Sequence, residues 1–359
     1  MFGNEIHYFT CGNTAKGFKT LLDTNVAGLD KLYILRGGLA AEKTEWMKQI
    51  GALWQQSGLN VEYLHCALDQ DALDGVIAPD LSCGVINAEL PHTMAAAGET
   101  IDCGAINARE LDERLDRVGQ LYQVIATNMS DAVACFAAAL RIHDDWETIY
   151  ISTMDKAAHG KATAELIQDI LSDKARQKAA VVKHRFLGGA TPAGPMDCIP
   201  SLTKGLQRRV FLKGRPGTGK STLLKQLAAA AQSKGFDTEI YHCGFDPDSL
   251  DMVILRELGT AVIDTTAPHE YFPSEESDEI IDLYEKIITP GTDEANADRL
   301  QEIAAAYKAK IHEGTAHLAK VKAARDRLEG IYRSAISPQD REKARDILFS
   351  SCTGLVEPD

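Results

Sequence analysis

The chain has 359 residues, of which 45% are hydrophobic and 25% are charged, a composition typical of a globular protein of about two domains. The net charge of −14 argues against a general nucleic-acid binder, because a phosphate backbone requires a basic surface. No run of about 18 apolar residues and no apolar leader is visible, so we expect no membrane span and predict a cytoplasmic location. Eight cysteines without a C-x-x-C pair predict reduced thiols.

An internal repeat sets the domain organisation. Residues 7–92 match residues 184–269 without a gap at a shift of 177 positions, and about a third of the paired residues are identical. The repeat predicts two units, residues 1–178 and residues 179–359, that pack against each other. The sequence leaves open whether the chain forms a homo-oligomer.

Each unit begins with a strand and a glycine loop, followed by a buried strand, a second glycine loop and a helix. In the second unit this helix covers Lys220–Ser233, with Gly235 just beyond its end. Another strand, a short helix capped by Asp248 or Ser249, and a third apolar strand come next. The predicted strands are residues 7–9, 31–35, 61–66 and 84–87 in the first unit and residues 184–186, 209–212, 238–243 and 261–264 in the second.

A helical segment follows each set of strands, over residues 108–146 and residues 293–332. Ser337 and Pro338 have the residue types that begin a last helix. The alternation of strands and helices predicts an α/β fold with two tandem P-loop NTPase-like units, each a parallel sheet with helical crossovers and each followed by a helical segment.

The second unit contains a complete phosphate-binding pattern, G-x-x-x-x-G-K-[ST], between a strand and a helix. Its glycines allow the backbone N–H groups to converge on phosphates at the helix N-terminus. Lys220 is predicted to reach the β- and γ-phosphates, and the Ser221 hydroxyl to bind Mg²⁺. The predicted nucleotide-binding residues are Gly214, Arg215, Pro216, Gly217, Thr218, Gly219, Lys220, Ser221 and Thr222.

The first unit has a degenerate loop at residues 37–45. Ala40 and Glu42 stand where the second unit has glycines, and the Glu42 carboxylate can occupy the anion site at the helix mouth itself. We therefore expect no nucleotide there, although Lys43 and Thr44 are retained and leave weak binding open.

Two aspartates of the second unit are candidate catalytic residues. Asp264 ends the third strand, where a P-loop protein places the acid that orients Mg²⁺, and its partner in the first unit is Asn87. The alternative for Asp264 is a turn cap. Asp246 follows the second strand and could orient the attacking water, but its partner Asp69 is retained, which favours a structural role.

Other residues have weaker signals. The adjacent pair His242 and Cys243 could suggest zinc or a nucleophile, but neighbouring strand residues face opposite sides, so a buried structural role is preferred. His269 could sense the γ-phosphate. Lys16, in the first glycine loop, could contact the other unit, although a plain tight loop is the simpler interpretation. The arginines considered for transition-state stabilisation, without a choice among them, are Arg208, Arg209, Arg215 and Arg256.

Residues 213–227, together with residues 241–247 and 264–273, resemble a bacterial family of tandem-duplicated P-loop ATPases whose reaction is unassigned. The resemblance covers the whole chain and implies ATP binding and the P-loop NTPase fold. The first copy of that family usually keeps its phosphate loop, so the degenerate loop here argues against two working sites.

The sequence thus predicts a Mg²⁺-dependent P-loop ATPase with one competent site, in the second unit. The first alternative is a nucleotide or small-molecule kinase, which would need an acceptor pocket and an arginine-rich lid. The second is a nucleotide-gated scaffold that binds ATP without hydrolysis. The choice between ATP and GTP is not determined by these residues.

Overall fold

A computed structural model describes residues 2–88, 98–107, 111, 114–266 and 270–356. The fold is mixed α/β, with a large, mostly parallel central sheet of 12 strands and helices packed on it. The strands are β1 Glu5–Phe9, β2 Cys11–Thr14, β3 Gly17–Thr20, β4 Lys31–Arg36, β5 Val61–Cys66, β6 Asp69–Ala78, β7 Cys83–Asn87, β8 Glu99–Asp102, β9 Val182–Phe186, β10 Gly188–Thr191, β11 Gly194–Asp197, β12 Arg208–Lys213, β13 Thr238–His242, β14 Leu250–Leu255, β15 Thr260–Asp264 and β16 Asp278–Asp282. The helices are α1 Asp23–Val26, α2 Ala40–Gln56, α3 Leu115–Ile151, α4 Lys156–Leu171, α5 Ile199–Thr203, α6 Lys220–Ser233, α7 Leu283–Ile287, α8 Thr292–Ala295, α9 Ala297–Tyr332 and α10 Pro338–Thr353.

The central sheet consists of two sets of six strands in the same order. Outward from the middle the N-terminal set is β1-β5-β6-β7-β4-β8 and the C-terminal set is β9-β13-β14-β15-β12-β16. Strands β1 and β9 join the sets through one antiparallel pair, Phe9 with Phe186. Within each set all neighbours are parallel except those of β6 and β14, which are antiparallel to both neighbours.

Strand β14 corrects one prediction. The short helix expected at Asp248 or Ser249 is instead the strand Leu250–Leu255, and its counterpart is β6. All six residues of β14 are buried, and four of them form the continuous apolar run Met252–Leu255. A short apolar run buried on both faces fits a central strand, whereas a helix would expose one face to water.

The first glycine loop of each unit is a β-hairpin. Strands β2 and β3 pair in the N-terminal half, and β10 and β11 pair in the C-terminal half. The hairpins contact each other, because the Asn13 side-chain amide donates a hydrogen bond of 2.9 Å to the carbonyl oxygen of Ala190. They therefore connect the two halves.

The two long helices α3 and α9 run antiparallel. Tyr122 contacts Tyr332 near the start of α3, and Trp146 contacts Tyr307 near its end. The predicted segment 108–146 ends too early, because α3 covers Leu115–Ile151, while residues 108–110 and 112–113 lie outside the described residues. The prediction for α10 is confirmed: Ser337 caps it and accepts a hydrogen bond from the Asp340 amide, with Pro338 at the first position.

Each long helix is followed by a shorter helix that packs against the strands of the other half. Helix α4 follows α3 in sequence but packs in the core of the C-terminal strands, where Leu166 and Ile170 join Leu223 and Leu227. Helix α10 follows α9 but packs in the core of the N-terminal strands. Each set of strands is thus packed with a helix that belongs to the other predicted unit, and the boundary near residue 178 stays a prediction.

Helix α3 also has the length and apolar composition that would allow a helix to cross a membrane, with a mean hydropathy of 1.3 over its most apolar window. Core helices of water-soluble proteins can meet the same criteria. In this structure α3 lies along α9, and the predicted cytoplasmic location stays a prediction.

Candidate functional site

The complete glycine loop lies at the carboxyl end of β12, as the sequence predicts. Helix α6 begins at Lys220 and buries Leu223, Leu224 and Leu227 among other apolar residues, which confirms the predicted helix. Gly217 and Gly219 both have a φ of +78°. In this left-handed region a side chain costs about 1–2 kcal/mol, so the loop conformation depends on glycine.

Lys220 lies inside this loop with its side chain buried. Its Nζ donates a hydrogen bond of 2.8 Å to the carbonyl oxygen of Arg215 and lies 3.7 Å from Oδ2 of Asp264. The other carboxylate oxygen of Asp264 accepts hydrogen bonds from the amide and the hydroxyl of Thr266, at 2.9 and 2.7 Å. Asp264 therefore caps a turn, which is the alternative role considered for it above. Its other oxygen faces the loop lysine.

Ser221 contacts the central sheet. Its hydroxyl accepts a hydrogen bond of 2.9 Å from the backbone amide of Leu250, at the start of β14. The equivalent Thr44 accepts one of 3.2 Å from Leu73. A hydroxyl has a second lone pair, which leaves Ser221 able to bind a cation. The contact also explains why Thr44 is retained in a degenerate loop.

Helices α3 and α4 close the outer side of the loop. Nε2 of His159 lies 3.1 Å from the carbonyl oxygen of Gly219. A Cβ added to Gly217 would lie 2.5 Å from the carbonyl oxygen of Glu147. Because C=O and N–H of a trans peptide point in opposite directions, the amide of Lys220 points away from His159. His159 thus supports the loop from behind, on the side opposite to this N–H group.

Sequence reasoning missed this role of Glu147 and His159. Both residues lie in the first repeat by position, and only the crossing of α3 into the C-terminal half brings them to the loop. A sequence signal exists nevertheless. Tyr332 follows Tyr150, and Arg341 follows His159, by the same number of positions, so Arg341 is expected to meet the other loop.

The degenerate loop is converted into a helical turn. Helix α2 begins at Ala40, the counterpart of Gly217, whereas α6 begins only at Lys220, the counterpart of Lys43. Ala40, Ala41 and Glu42 therefore add one turn to the helix where the complete loop has its glycines. Alanine and glutamate favour helix, while glycine disfavours it by about 1 kcal/mol. These three residues therefore replace the glycine-dependent loop conformation with helix.

Glu42 does not occupy the anion position, contrary to the expectation from the sequence. Its carboxylate contacts the guanidinium of Arg341 and lies 4.0 Å from that of Arg333. The amide of Ala41 instead donates a hydrogen bond of 3.3 Å to the carboxylate of Glu329. A carboxylate from α9 thus accepts one of the N–H groups at the start of α2, a position that favours anions.

Lys43 and Asn87 show why the loop lysine is retained. Lys43 is fully buried, and its Nζ donates a hydrogen bond of 3.0 Å to Oδ1 of Asn87. The pair is equivalent to Lys220 and Asp264, with an amide replacing the carboxylate. A neutral partner suits a buried lysine tied into the fold but supplies no charge to hold a divalent cation.

A cleft of about 430 Å³ lies over the degenerate loop, between α2 and α9. Five carboxylates and three cationic side chains line it. One of these cations, Lys322, contacts Asp69 at 3.1 Å and Asp326 at 3.0 Å. The described lining therefore carries an excess of negative charge, which opposes the binding of a triphosphate.

Asp246 meets a lysine from the other half. Nζ of Lys16, in the turn between β2 and β3, lies 2.6 Å from both Asp246 and Asp248. Hydrogen bonds to the two aspartates raise the pKa of Lys16, and the same lysine lowers the pKa of Asp248. The contact between units considered for Lys16 is therefore present, and Asp246 serves a structural ion pair.

Each arginine considered for transition-state stabilisation has a carboxylate partner in the described structure. Arg215, the one within the loop, donates to Asp293 at 2.9 Å and lies over the ring of Tyr284. The remaining pairs are Arg208 with Glu279 and Asp169, Arg209 with Asp278, and Arg256 with Glu239. These contacts tie each of the four arginines to an acidic side chain.

Histidines within the central strands form one pair in each half. His184 Nδ1 lies 2.9 Å from His242 Nε2, and His7 Nδ1 lies 2.9 Å from His65 Nε2. Burial lowers the pKa of all four rings, and that of His65 falls to about 4. Burial also raises the pKa of the Cys243 thiol, so this cysteine is no activated nucleophile.

His269 lies outside the described residues.

Comparisons with protein-family models, with curated proteins and with solved structures find no match to this chain. The resemblance to tandem-duplicated P-loop ATPases therefore stays a prediction, and the function has to be argued from the site itself.

Proposed function

We propose that the chain consists of two tandem P-loop NTPase-like units and that residues 214–222 of the second unit bind a Mg²⁺–nucleoside triphosphate, which this unit hydrolyses. The observation that supports this best is the 3.7 Å approach of Lys220 Nζ to the Asp264 carboxylate beside a glycine-dependent loop. Strands β12 and β15, which precede these groups, are adjacent and parallel. Ligands of parallel sheets commonly bind at the carboxyl ends of such strands.

The residues present fit the ligand by charge and by donor type. The amides at the start of α6 can receive phosphate oxygens, because the first turn of a helix leaves its N–H groups without partners inside the helix. Lys220 would exchange the carbonyl of Arg215 for a phosphate oxygen. Ser221 and Asp264 would hold Mg²⁺, which supplies charge neutralisation at the phosphates.

The position of Asp246 bears on hydrolysis. Its Oδ1 is bound by Lys16, an ion pair that ties this carboxylate to the hairpin of the other half. This observation favours the nucleotide-gated scaffold as the second candidate, because such a protein binds the triphosphate and needs no base. The two candidates share the loop and differ only in turnover.

Binding and turnover can be measured on the same purified full-length chain. We expect calorimetry with Mg²⁺ to show one equivalent of ATP or GTP bound, and a phosphate-release assay to show slow hydrolysis. Binding without release would identify the scaffold, and formation of nucleoside diphosphate with transfer of the phosphoryl group to a sugar or nucleoside acceptor would identify a kinase. No uptake of either triphosphate would refute the proposal altogether.

A further inference from the structure

Helices α3 and α9 bring together three metal-binding side chains that the proposed nucleotide site does not use. One ligand atom each of Cys135, Glu313 and His317 lies within 4.8 Å of the other two. Cys135 is on α3, while Glu313 and His317 are one turn apart on α9. The cluster therefore bridges the two long helices near their middle.

The placement follows the internal repeat. Asp131 and Cys135 are four residues apart on α3, and Glu313 and His317 are four residues apart on α9. Glu313 follows Asp131, and His317 follows Cys135, by the number of positions that also separates Tyr150 from Tyr332. Residues four apart share one face of a helix. Each long helix thus directs one acid and one metal-binding side chain to the same point.

Cys135 has a polar neighbour, so its burial on α3 is not explained by apolar packing alone. Ala132, Phe136 and Leu318 form an apolar cluster beside the site. Cys135 instead lies against a carboxylate and forms a hydrogen bond with it, the thiol donating to Glu313. The exposed fraction is 8% for Cys135 and 18% for the His317 side chain, so the cysteine is buried while the site stays open on the histidine side.

The polar neighbours orient the histidine and compete for the acid. His317 Nδ1 lies 2.8 Å from Oδ1 of Asn128, which accepts its proton and leaves the lone pair on Nε2. Asp131 lies 3.7 Å from the same Nδ1 and adds negative charge. Lys310 binds one oxygen of Glu313 at 2.6 Å, which leaves that carboxylate its second oxygen.

We propose that Cys135, Glu313 and His317 bind one Zn²⁺ ion that links α3 to α9. A thiolate, an imidazole and a carboxylate are a ligand set that Zn²⁺ prefers, whereas Mg²⁺ requires oxygen ligands. On binding, the proton of the Cys135 thiol passes to solvent and the sulfur forms the bond to zinc. The fourth position is open to water, as three protein ligands imply.

Cobalt(II) provides a direct test, because it takes the place of Zn²⁺ and reports a thiolate ligand through a near-ultraviolet charge-transfer band. We expect the full-length protein, freed of metal, to bind one equivalent of Co²⁺ with this band and with visible bands of four-coordinate cobalt. Zn²⁺ should then displace the cobalt and raise the melting temperature of the protein.

Three variants separate this site from other metal binding. Cys135→Ser should abolish the charge-transfer band and the zinc-dependent rise in melting temperature, and His317→Gln should weaken cobalt binding by about tenfold or more. The matched control is His143→Gln, on the same helix, because His143, Asp144 and Glu147 form another cluster but contain no thiol. That variant should keep the band.

Three results would overturn the proposal. They are the absence of a charge-transfer band, a band that survives Cys135→Ser, and a band lost in His143→Gln. Far-ultraviolet circular dichroism of Cys135→Ser without metal shows whether the variant is folded. If it is not, the cobalt titration of His317→Gln decides the question: weaker binding supports the site, and unchanged affinity overturns it.

Discussion

The guanidinium of Arg185 donates a hydrogen bond of 2.7 Å to the carboxylate of Glu62 where the two sets of strands meet. Arg185 is fully buried, lies 3.9 Å above the ring of Tyr8, and also approaches Glu239 at 3.4 Å. Glu62 and Glu239 are equivalent residues of the repeat. One buried cation therefore contacts two equivalent carboxylates, one from each half.

Replacing Arg185 with Met should destabilise the whole protein. The change removes the nearest cationic partner of Glu62 and leaves Glu239 paired with Arg256, and breaking a buried ion pair in this way costs about 3–5 kcal/mol. Urea unfolding followed by circular dichroism measures the loss. Lys178→Ala, which removes an exposed ion pair with Asp237, is the control and should hardly move the midpoint. Equal effects would contradict the importance of the central pair.

Lys220→Ala should abolish triphosphate binding, because the loop then lacks the cation that is proposed to contact the phosphates. Lys43→Ala should leave the affinity unchanged but lower the free energy of unfolding by about 1–3 kcal/mol, since it removes a buried hydrogen bond with Asn87. Calorimetry with ATP and Mg²⁺ measures the first effect and urea unfolding the second. Equal losses of affinity in both variants would refute a single competent site.

Replacing Gly219 and His159 with the residues found at the equivalent positions, Glu and Arg, should convert the complete loop into the degenerate form. Gly219→Glu should prevent nucleotide binding, because φ is +78° at this position and an added Cβ would lie 2.4 Å from Nε2 of His159. Adding His159→Arg reproduces the pair of Glu42 with Arg341.

The double variant should regain part of the lost stability, with a coupling energy of about 0.5–3 kcal/mol in a double-mutant cycle. Its nucleotide binding should stay lost, which calorimetry would detect. Additive losses of stability, or recovered binding, would show that the two loops differ for another reason.

The paired histidines should make the fold sensitive to acid. Burial, with a smaller contribution from His7, lowers the pKa of His65 from 6.5 to about 4, so the folded state holds this ring neutral. Between these values the unfolded chain binds more protons. Stability is therefore complete above about pH 6.5 and falls as the pH decreases towards 4, by up to about 3 kcal/mol.

Urea unfolding between pH 4 and 7.5 tests this dependence. His65→Gln should flatten the curve in this range, because an amide does not titrate. The exposed His312 on α9, changed to Gln, should leave the curve unchanged. A wild-type curve that is flat down to pH 4 would show that protonation of the pair carries no cost.

Much of the site could be predicted because it is local in sequence. The helix Lys220–Ser233 and strand Val61–Cys66 have the predicted bounds, since apolar spacing and glycines report on contacts a few residues apart. Strand β14 was missed because a short apolar run is compatible with both helix and strand. Its antiparallel pairing with β13 and β15 decides for the strand, and these partners lie elsewhere in the sequence.

The degenerate loop shows the same limit at single residues. The sequence shows that Ala40 and Glu42 stand where the complete loop has Gly217 and Gly219. This difference correctly marks the first loop as altered. The possibility that the Glu42 carboxylate occupies the anion site is not realised, because this carboxylate contacts Arg341 instead. That arginine lies on α10, some 300 positions along the chain, and comes to the loop only through packing.

The sequence by itself determined the duplication, the complete loop at residues 214–222 and the decay of its copy, because these are patterns of neighbouring residues. Only the tertiary structure decided that the long helices cross, that His159 supports Gly219, and that Cys135 meets His317. Such contacts depend on the direction in which two helices pack. Periodicity along one helix identifies its buried face but does not identify the partner that covers it.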